Sequence, residues 1–274
     1  RASILANEVG VPVIDTYSCE TADAMVVATT TSAHAEVACK ALEAGLHTLV
    51  EKPIASTLEE ATRMVETAKA NQRVLAVGHS ERFNPAVSAA LSLANQPRYI
   101  TAERLSPFSG RSLDVDVILD LMIHDLDILS FLVTSPLKEA RAIGVPVLTN
   151  SVDMASARLE FEDGTVAELQ AGRVSMDPCR KIRIFTEQRY ISIDCSAREV
   201  KAVKISAPAA GQSMGAISGE PVAVAKWDPL EEQMKNFAHS IRNNVTPTVG
   251  GTAGRRALEL ACAVRECMTN PAKA

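Results

Sequence analysis

The sequence predicts two structural classes in succession: an α/β unit with a parallel sheet over residues 1–83, then an α+β unit with an open antiparallel sheet and flanking helices over 84–274. Three observations carry this. In the first eighty residues, short continuous apolar runs alternate with segments of helical periodicity, as strands covered on both faces require. From 139 to 206 the chain reads in period two, so its strands keep one face wet. Two amphipathic helical segments then close the chain.

The elements follow in order. "RASILANEVG" reads as the end of a helix closed by Gly10, and "VPVIDTY" as a short strand. "DAMVVATT" (23–30) is an uninterrupted apolar strand. "SAHAEVACKALEAG" (32–45) is helical, with Val37, Ala38, Ala41 and Leu42 on one face, Ser32 as the expected N-cap and Gly45 after the last turn. "HTLVE" (47–51) is the next strand. In "STLEEATRMVETAKA", Ser56 and Glu59 have capping-box spacing, and Leu58, Ala61, Met64, Val65 and Ala68 form a stripe. "RVLAVG" (73–78) makes a further strand. Strand–helix–strand repetition with short connections implies right-handed parallel crossovers.

Beyond Pro85 the signal changes. In "ARLEFEDGTVAELQA", Leu159 and Phe161 alternate with Arg158, Glu160 and Glu162, and Asp163-Gly164 supplies a hairpin turn. "RKIRIF" and "RYISIDC" repeat the alternation with Ile182/Ile184 and Ile191/Ile193. The Gly/Ser-rich segment 209–221 is expected to be a flexible loop, and "PLEEQMKNFAHSIRNN" and "GTAGRRALELACAVRECM" are the closing helices.

Composition excludes several classes. The 274 residues are 47% hydrophobic, with formal net charge −5 and no basic block. That argues against nucleic acid or an anionic membrane surface as partner. No apolar run approaches the roughly 18 residues a membrane helix needs, and the N-terminal residues show no signal-peptide pattern. The six cysteines (Cys19, Cys39, Cys179, Cys195, Cys262, Cys267) occur singly. They read as reduced thiols of a cytoplasmic protein rather than disulfides or zinc ligands, and no metal is expected.

Polar, chemistry-bearing residues gather after strand ends, where open α/β sheets place their ligands. Ala28, Thr29, Thr30 and His34 surround a helix N-terminus, whose free N–H groups favour anionic or hydrogen-bonding ligands. Glu51, Lys52 and Pro53 end the next strand, and Gly78 to Asn84, including Arg82, end the third. A fourth cluster is "DLMIHDLDIL": Asp120 and His124 are four apart and share a helix face. Singly, each has a plain alternative. A histidine near a helix start is commonly a structural donor, a lysine after a strand a solvated charge, and Asp-x3-His a surface pair.

Together they resemble a known family. The run "ATTTSAHAEVACKALEAGLHTLVEKPIASTLEEATRMVETAKANQRVLAVGHSERFNPAV" is similar to the nicotinamide-dependent oxidoreductases grouped as Gfo/Idh/MocA. "LDLMIHDLDILSFL", with its Asp-His pair about 70 residues after Glu-Lys-Pro, and "GTAGRRALELACAVREC" extend the match over most of the chain. Within the family, "VGHSERFNP" with "DVDVILDLMIHDLDI" most resembles the UDP-N-acetylglucosamine 3-dehydrogenases. The resemblance implies a Rossmann domain binding NAD or NADP, then a sheet whose face forms the substrate floor. It also implies hydride transfer from a secondary hydroxyl of a sugar or nucleotide sugar, and a homo-dimer or homo-tetramer.

On the family pattern, Lys52 enters the active site and hydrogen-bonds the reacting hydroxyl, Glu51 faces the cofactor, and Pro53 holds the loop, with a cis peptide as one means. His124 suits the base role, since its ordinary pKa is close to neutral. Lys52 stabilises developing alkoxide charge, and Asp120 orients His124 or the sugar hydroxyls. Cofactor contacts are expected at Ala28, Thr29, Thr30, His34, Glu51, Lys52 and Arg82. Substrate contacts are expected at Lys52, Asn84, Arg111, Asp120 and His124, with Arg104 a weaker candidate. Rival readings are a polyol or myo-inositol dehydrogenase, a cofactor-sensing regulator without catalysis, and an inactive remnant.

Three features depart from the pattern. No G-x-G-x-x-G occurs in the 274 residues, so the Rossmann unit is expected to be truncated, with 23–30 as an unpaired edge strand. Thr30 stands where relatives usually have proline, and "DVDVILDL" replaces a common glycine run. Isothermal titration of NAD into the 274-residue chain is therefore expected to give no micromolar binding; a micromolar isotherm would overturn that expectation.

Overall fold

The apolar runs of the first part pair in parallel: β1 (Ala24–Val27), β2 (His47–Glu51) and β3 (Leu75–Gly78), in the order β1-β2-β3. This is a computed structural model that describes residues 2–13, 22–110, 115–206, 208 and 215–269. Helix α1 (Ala2–Val9) precedes the sheet and closes at Gly10. The expected strand over "VPVIDTY" is not formed at Val11–Val13, which are exposed, and the rest of it lies outside the described residues. β1 is the edge of the described sheet, with Val26 45% exposed.

Helices α2 (Thr31–Glu43) and α3 (Leu58–Ala70) cover the face carrying Val27, Val50 and Val77, burying Ala38, Leu42, Ala61 and Met64. Both start at caps one or two residues from those expected. α2 begins after Thr30, two residues before Ser32, and the Thr30 side chain makes no capping bond. α3 uses Thr57 with Glu60 as its capping box, one residue beyond Ser56/Glu59. Two overlapping Ser/Thr-x-x-Glu frames exist there, and Glu60 also accepts from the Ser56 N–H.

The second sheet has eight strands in the order β11-β10-β9-β8-β4-β7-β6-β5. They are β4 (Tyr99–Leu105), β5 (Leu137–Val145), β6 (Met154–Phe161), β7 (Val166–Gly172), β8 (Cys179–Phe185), β9 (Arg189–Asp194), β10 (Glu199–Ile205) and β11 (Ile217–Glu220). It is antiparallel apart from one pair, β4 with β7. β4 falls in a stretch with no strand expected, yet it alternates buried Ile100, Ala102 and Arg104 with half-buried neighbours. It arrives from helix α4 (Pro85–Leu91) and slots between β7 and β8, so one of its two neighbours must run parallel. The Asp163-Gly164 hairpin forms as read, with Gly164 at φ +84° and Phe161 and Thr165 bonded across it. Part of the Gly/Ser-rich segment is strand β11 rather than loop, because backbone pairing with β10 (Ile205 opposite Ile217) asks nothing of the side chains.

Helices also bind the two sheets together. α5 (Ile123–Leu132) is apolar nearly all round, with Ile123, Leu126, Ile128 and Leu129 in the core. α6 (Pro229–Asn243), N-capped by Asp228, sets Phe237 and Ile241 against Leu49 and Ala76 on the remaining face of the parallel sheet. α7 (Gly251–Thr269) starts against β3 and ends with Met268 over Gly144 of β5.

A side chain at residue 254 would place its Cβ 2.6 Å from Cγ2 of Val77, so α7 meets β3 only through glycine. Gly254→Val is expected to cost about 2–3 kcal/mol of stability through overpacking. Denaturant unfolding of Gly254→Val, Val77→Ala and the double variant should show favourable coupling between the two sites.

Candidate active site

Three strand ends and one helix start converge. At the end of β1, Ala28, Thr29 and Thr30 are exposed beside the first turn of α2, which no side chain caps. At the end of β2, Glu51 is half-buried and the Lys52–Pro53 peptide is cis. β3 ends at Gly78, where an added Cβ would stand 2.7 Å from a carboxylate oxygen of Glu51. Glycine there lets the Glu51 side chain lie across the strand end.

Lys52 reaches across to the second sheet's helix. Its Nζ donates to the backbone carbonyl of Asp120 at 2.6 Å and to Asp120 Oδ1 at 3.0 Å, with both side chains largely buried. Asp120 lies in a π-helical turn (Ile118–Met122) that leads into α5. The widened turn lets one residue offer both its carbonyl and its carboxylate to the ammonium; such turns recur at functional sites. Asp120 therefore holds Lys52, and no Asp120–His124 hydrogen bond occurs among the described residues. The expected orientation of His124 by Asp120 gives way to this pairing.

His124 opens α5 one turn later. Its Nδ1 is buried and has no hydrogen-bond partner among the described residues. The ring of His79, the residue after β3, stands edge-on to it, with centroids 6.3 Å apart and planes at 89°. His79 is fully buried, and neither ring nitrogen has a partner among the described residues. Burial, then the positive charges of Arg104 and Lys52, pull the His124 pKa well below the ordinary histidine value. Burial likewise lowers that of His79, against the attraction of Asp127. Both rings are therefore held in the neutral form at neutral pH.

Beneath the histidines are two buried ion pairs. Arg104 on β4 forks onto Asp125 at 2.8 and 2.9 Å, with Glu81 at 3.5 Å. Burial alone would weaken the Arg104 charge, but Asp125 and Glu81 outweigh it and hold the guanidinium charged. Arg82 forks onto Asp127 at 2.9 and 3.0 Å, donates to the Asp127 carbonyl, and lies 4.4 Å from the Phe131 ring centre.

These contacts revise several expected roles. Arg82 is buried, with Nε and Nη2 committed to Asp127 in the core, so it is placed as a structural group rather than at the surface where a cofactor contact was expected. Asn84 caps α4 through its carbonyl oxygen and donates its amide to the Cys195 carbonyl, so it is structural rather than substrate-facing. His34 is buried, with Nδ1 2.8 Å from the Pro53 carbonyl and Nε2 3.3 Å from that of Thr29; it braces two loops instead of facing a ligand. Arg104 supports the helix from below. Arg111 lies outside the described residues. Lys52, Asp120 and His124 are brought together as expected, with Glu51 and Ala28–Thr30 on the rim.

One residue escaped the sequence reading, and another was grouped at a strand end without a role. Arg180 on β8 sits directly opposite Arg104 across the strand pair, is exposed, and exerts its charge on His124. Its signal was parity: it lies two residues before Ile182, hence on the same sheet face as Ile182 and Ile184. His79 lay in the polar group after the third strand, but a histidine there shows nothing of its neighbours, so its pairing with His124 could not be read.

Comparison with known proteins agrees with this geometry. Residues 1–79 match the model for the oxidoreductase family with an NAD-binding Rossmann fold, and residues 93–192 match the GFO/IDH/MocA C-terminal domain. UDP-N-acetylglucosamine 3-dehydrogenase from Acidithiobacillus ferrooxidans is 40% identical over 269 residues, covering 97% of this chain and 85% of that protein. The chain belongs to the Gfo/Idh/MocA family. A solved structure of that Acidithiobacillus dehydrogenase superposes with TM-score 0.89 at 37% identity, covering 98% of this chain and 86% of the other. The scyllo-inositol 2-dehydrogenase (NAD(+)) of Bacillus subtilis is 30% identical over 173 residues, 56% of this chain and 49% of that one. As a Gfo/Idh/MocA member, the protein is a nicotinamide-dependent dehydrogenase acting on CH–OH groups. The residues present fit the nicotinamide end of such a cofactor: the first turn of α2 is left open by side chains, the Glu51 carboxylate lies across the strand end at Gly78, and Lys52 beside it carries a positive charge.

His79, His124 and His47 all have pKa values lowered by burial first, so the unfolded chain binds more protons than the folded one below about pH 6.5. Stability is thus fully present above that value and falls with acidification. His79 and His124 each contribute up to about 1.4 kcal/mol per pH unit down to their folded-state pKa, and His47, only partly shielded from solvent, contributes less. Denaturant midpoints at pH 7.5 and 5.5 should show the loss, and His47→Gln should reduce its slope.

Proposed function

We propose that the enzyme oxidises a secondary hydroxyl of a nucleotide sugar, with UDP-N-acetylglucosamine as substrate. The reading rests on one observation: the Lys52 ammonium, anchored on Asp120, lies near enough to His124 for its charge to act on that ring, in a chain 40% identical to a UDP-N-acetylglucosamine 3-dehydrogenase. Asp120 takes two of the three protons that Lys52 Nζ can donate, and the third serves the reacting oxygen. His124 has its Nδ1 buried, so Nε2 is the nitrogen that receives the hydroxyl proton. As the O–H bond breaks, Lys52 stabilises the developing alkoxide in a site where water is sparse. When bound, the nicotinamide supplies the hydride acceptor that no side chain can.

A diphosphate would call for guanidinium forks. Arg180 is exposed on β8 opposite Arg104 and forms no ion pair among the described residues. It is the residue assigned to the diphosphate, with Arg111 a second candidate. Within the same proposal, the enzyme is cytoplasmic and homo-oligomeric. The free thiols Cys39, Cys179, Cys195, Cys262 and Cys267 suit a reducing compartment, and the helix-free sheet face offers a surface for self-association.

In the intact enzyme, His124→Ala and Lys52→Met are each expected to lower kcat at least roughly 10²-fold. Arg180→Ala should raise KM for UDP-N-acetylglucosamine about 10–100-fold with kcat held, as loss of a charge-assisted contact does. Steady-state rates of nicotinamide reduction across a panel of UDP-N-acetylglucosamine, N-acetylglucosamine and myo-inositol check all three. Preference for myo-inositol would replace the nucleotide sugar with a polyol.

A further inference from the structure

His79 has no part in the chemistry described so far, and its environment makes no sense for a filler. A neutral imidazole always carries one ring N–H. Burying it without a partner costs about 1–3 kcal/mol, which phenylalanine or leucine would avoid. Here both nitrogens lack a partner among the described residues, in a ring fully out of solvent. The adjoining ring is His124, itself orphaned at Nδ1, edge-on at 6.3 Å. Close packing alone does not account for a fully buried imidazole with both nitrogens unsatisfied beside a second ring whose Nδ1 is also orphaned; each ring carries a capacity that the other can meet.

The charges around the pair are arranged asymmetrically. His79 is faced by Lys52 from the loop after β2, by Arg82 from its own 3-10 turn (Ser80–Phe83) and by Asp127 from α5. His124 is faced by Lys52, by Arg104 of β4, by Arg180 of β8 and by His79. Asp125 and Glu81 are drawn toward Arg104. The carboxylate on the His79 side favours positive charge there, whereas the groups that act on His124 are cationic.

From this juxtaposition we propose that His79 is the positioning partner of His124: it accepts the His124 Nδ1–H when Nε2 takes the substrate proton, so that the two rings share one positive charge. Hydrogen bonds of this kind are commonly long before substrate binds and tighten in the Michaelis complex. The proton balance is complete. The hydroxyl proton ends on the imidazole pair and leaves to solvent after turnover, while the C–H electron pair goes with the hydride. His79 touches neither substrate nor cofactor, and the inference rests on the proposed role of His124 as base.

The test combines ring titration with kinetics. With five histidines in the chain, nitrogen-15 spectra can follow the His124 ring in cofactor-free protein as pH is varied, for wild type, His79→Phe and His79→Gln. The expected result is that His79→Phe moves the His124 titration to lower pH and fixes a different tautomer, and that His79→Gln, which can still accept, restores much of the shift. In the intact enzyme, kcat should fall roughly tenfold or more in His79→Phe with sugar KM little changed, the acid limb of the kcat/KM profile should move the same way, and His79→Gln should recover part. Unchanged His124 signals with only a lower melting temperature would reduce His79 to packing and overturn the proposal. An upward shift in His79→Phe would overturn it as well, since His79 would then act only as a repelling neighbour. Normal turnover in His124→Ala would instead sink the base assignment, whatever the ring titration shows.

Discussion

The ammonium of Lys52, held between the carbonyl and carboxylate of Asp120, is the contact on which the site depends. It joins the end of a strand in the parallel sheet to a π-helical turn that leads into α5. A lysine here without Asp120 would be a partly buried charge lacking compensation. With it, the ammonium is oriented, keeps a proton to donate, and sets the electrostatic character of the cleft.

That cleft is built over a stratum of buried charge. The Arg82–Asp127 and Arg104–Asp125 forks are almost fully enclosed. Such pairs contribute little net stability compared with apolar residues of the same volume, although breaking one is costly. Their value here is positional. Both aspartates belong to α5, whose apolar residues could pack in more than one rotational setting, and two rigid forks from different elements select one. That setting presents His124 upward beside His79. The cationic end of the Arg104 fork also helps keep His124 neutral, the state that the proposed base role requires.

The helices decide how the two sheets face each other. α7 begins against β3, close enough to need glycine at 254, and ends over β5. α6 covers the parallel sheet from the other side. Chain segments distant in sequence thus fix the strand ends carrying Glu51, Lys52 and Gly78 relative to the second sheet, which carries Arg104 and Arg180.

The alternation of apolar runs and helical stripes, the period-two strands with the Asp163-Gly164 hairpin, and the grouping of Lys52, Asp120 and His124 were all legible in the sequence. Each is written in local periodicity or in a motif that keeps its spacing, and local backbone physics acts over a few residues. The insertion of β4 between β7 and β8, the strand character of 217–220, the structural duties of His34, Arg82 and Asn84, and the pairing of His79 with His124 were not. A polar side chain in a sequence carries its hydrogen-bonding capacity but not its partner. Whether that capacity is spent on the protein's own core or left for a ligand is settled only when remote segments close around it.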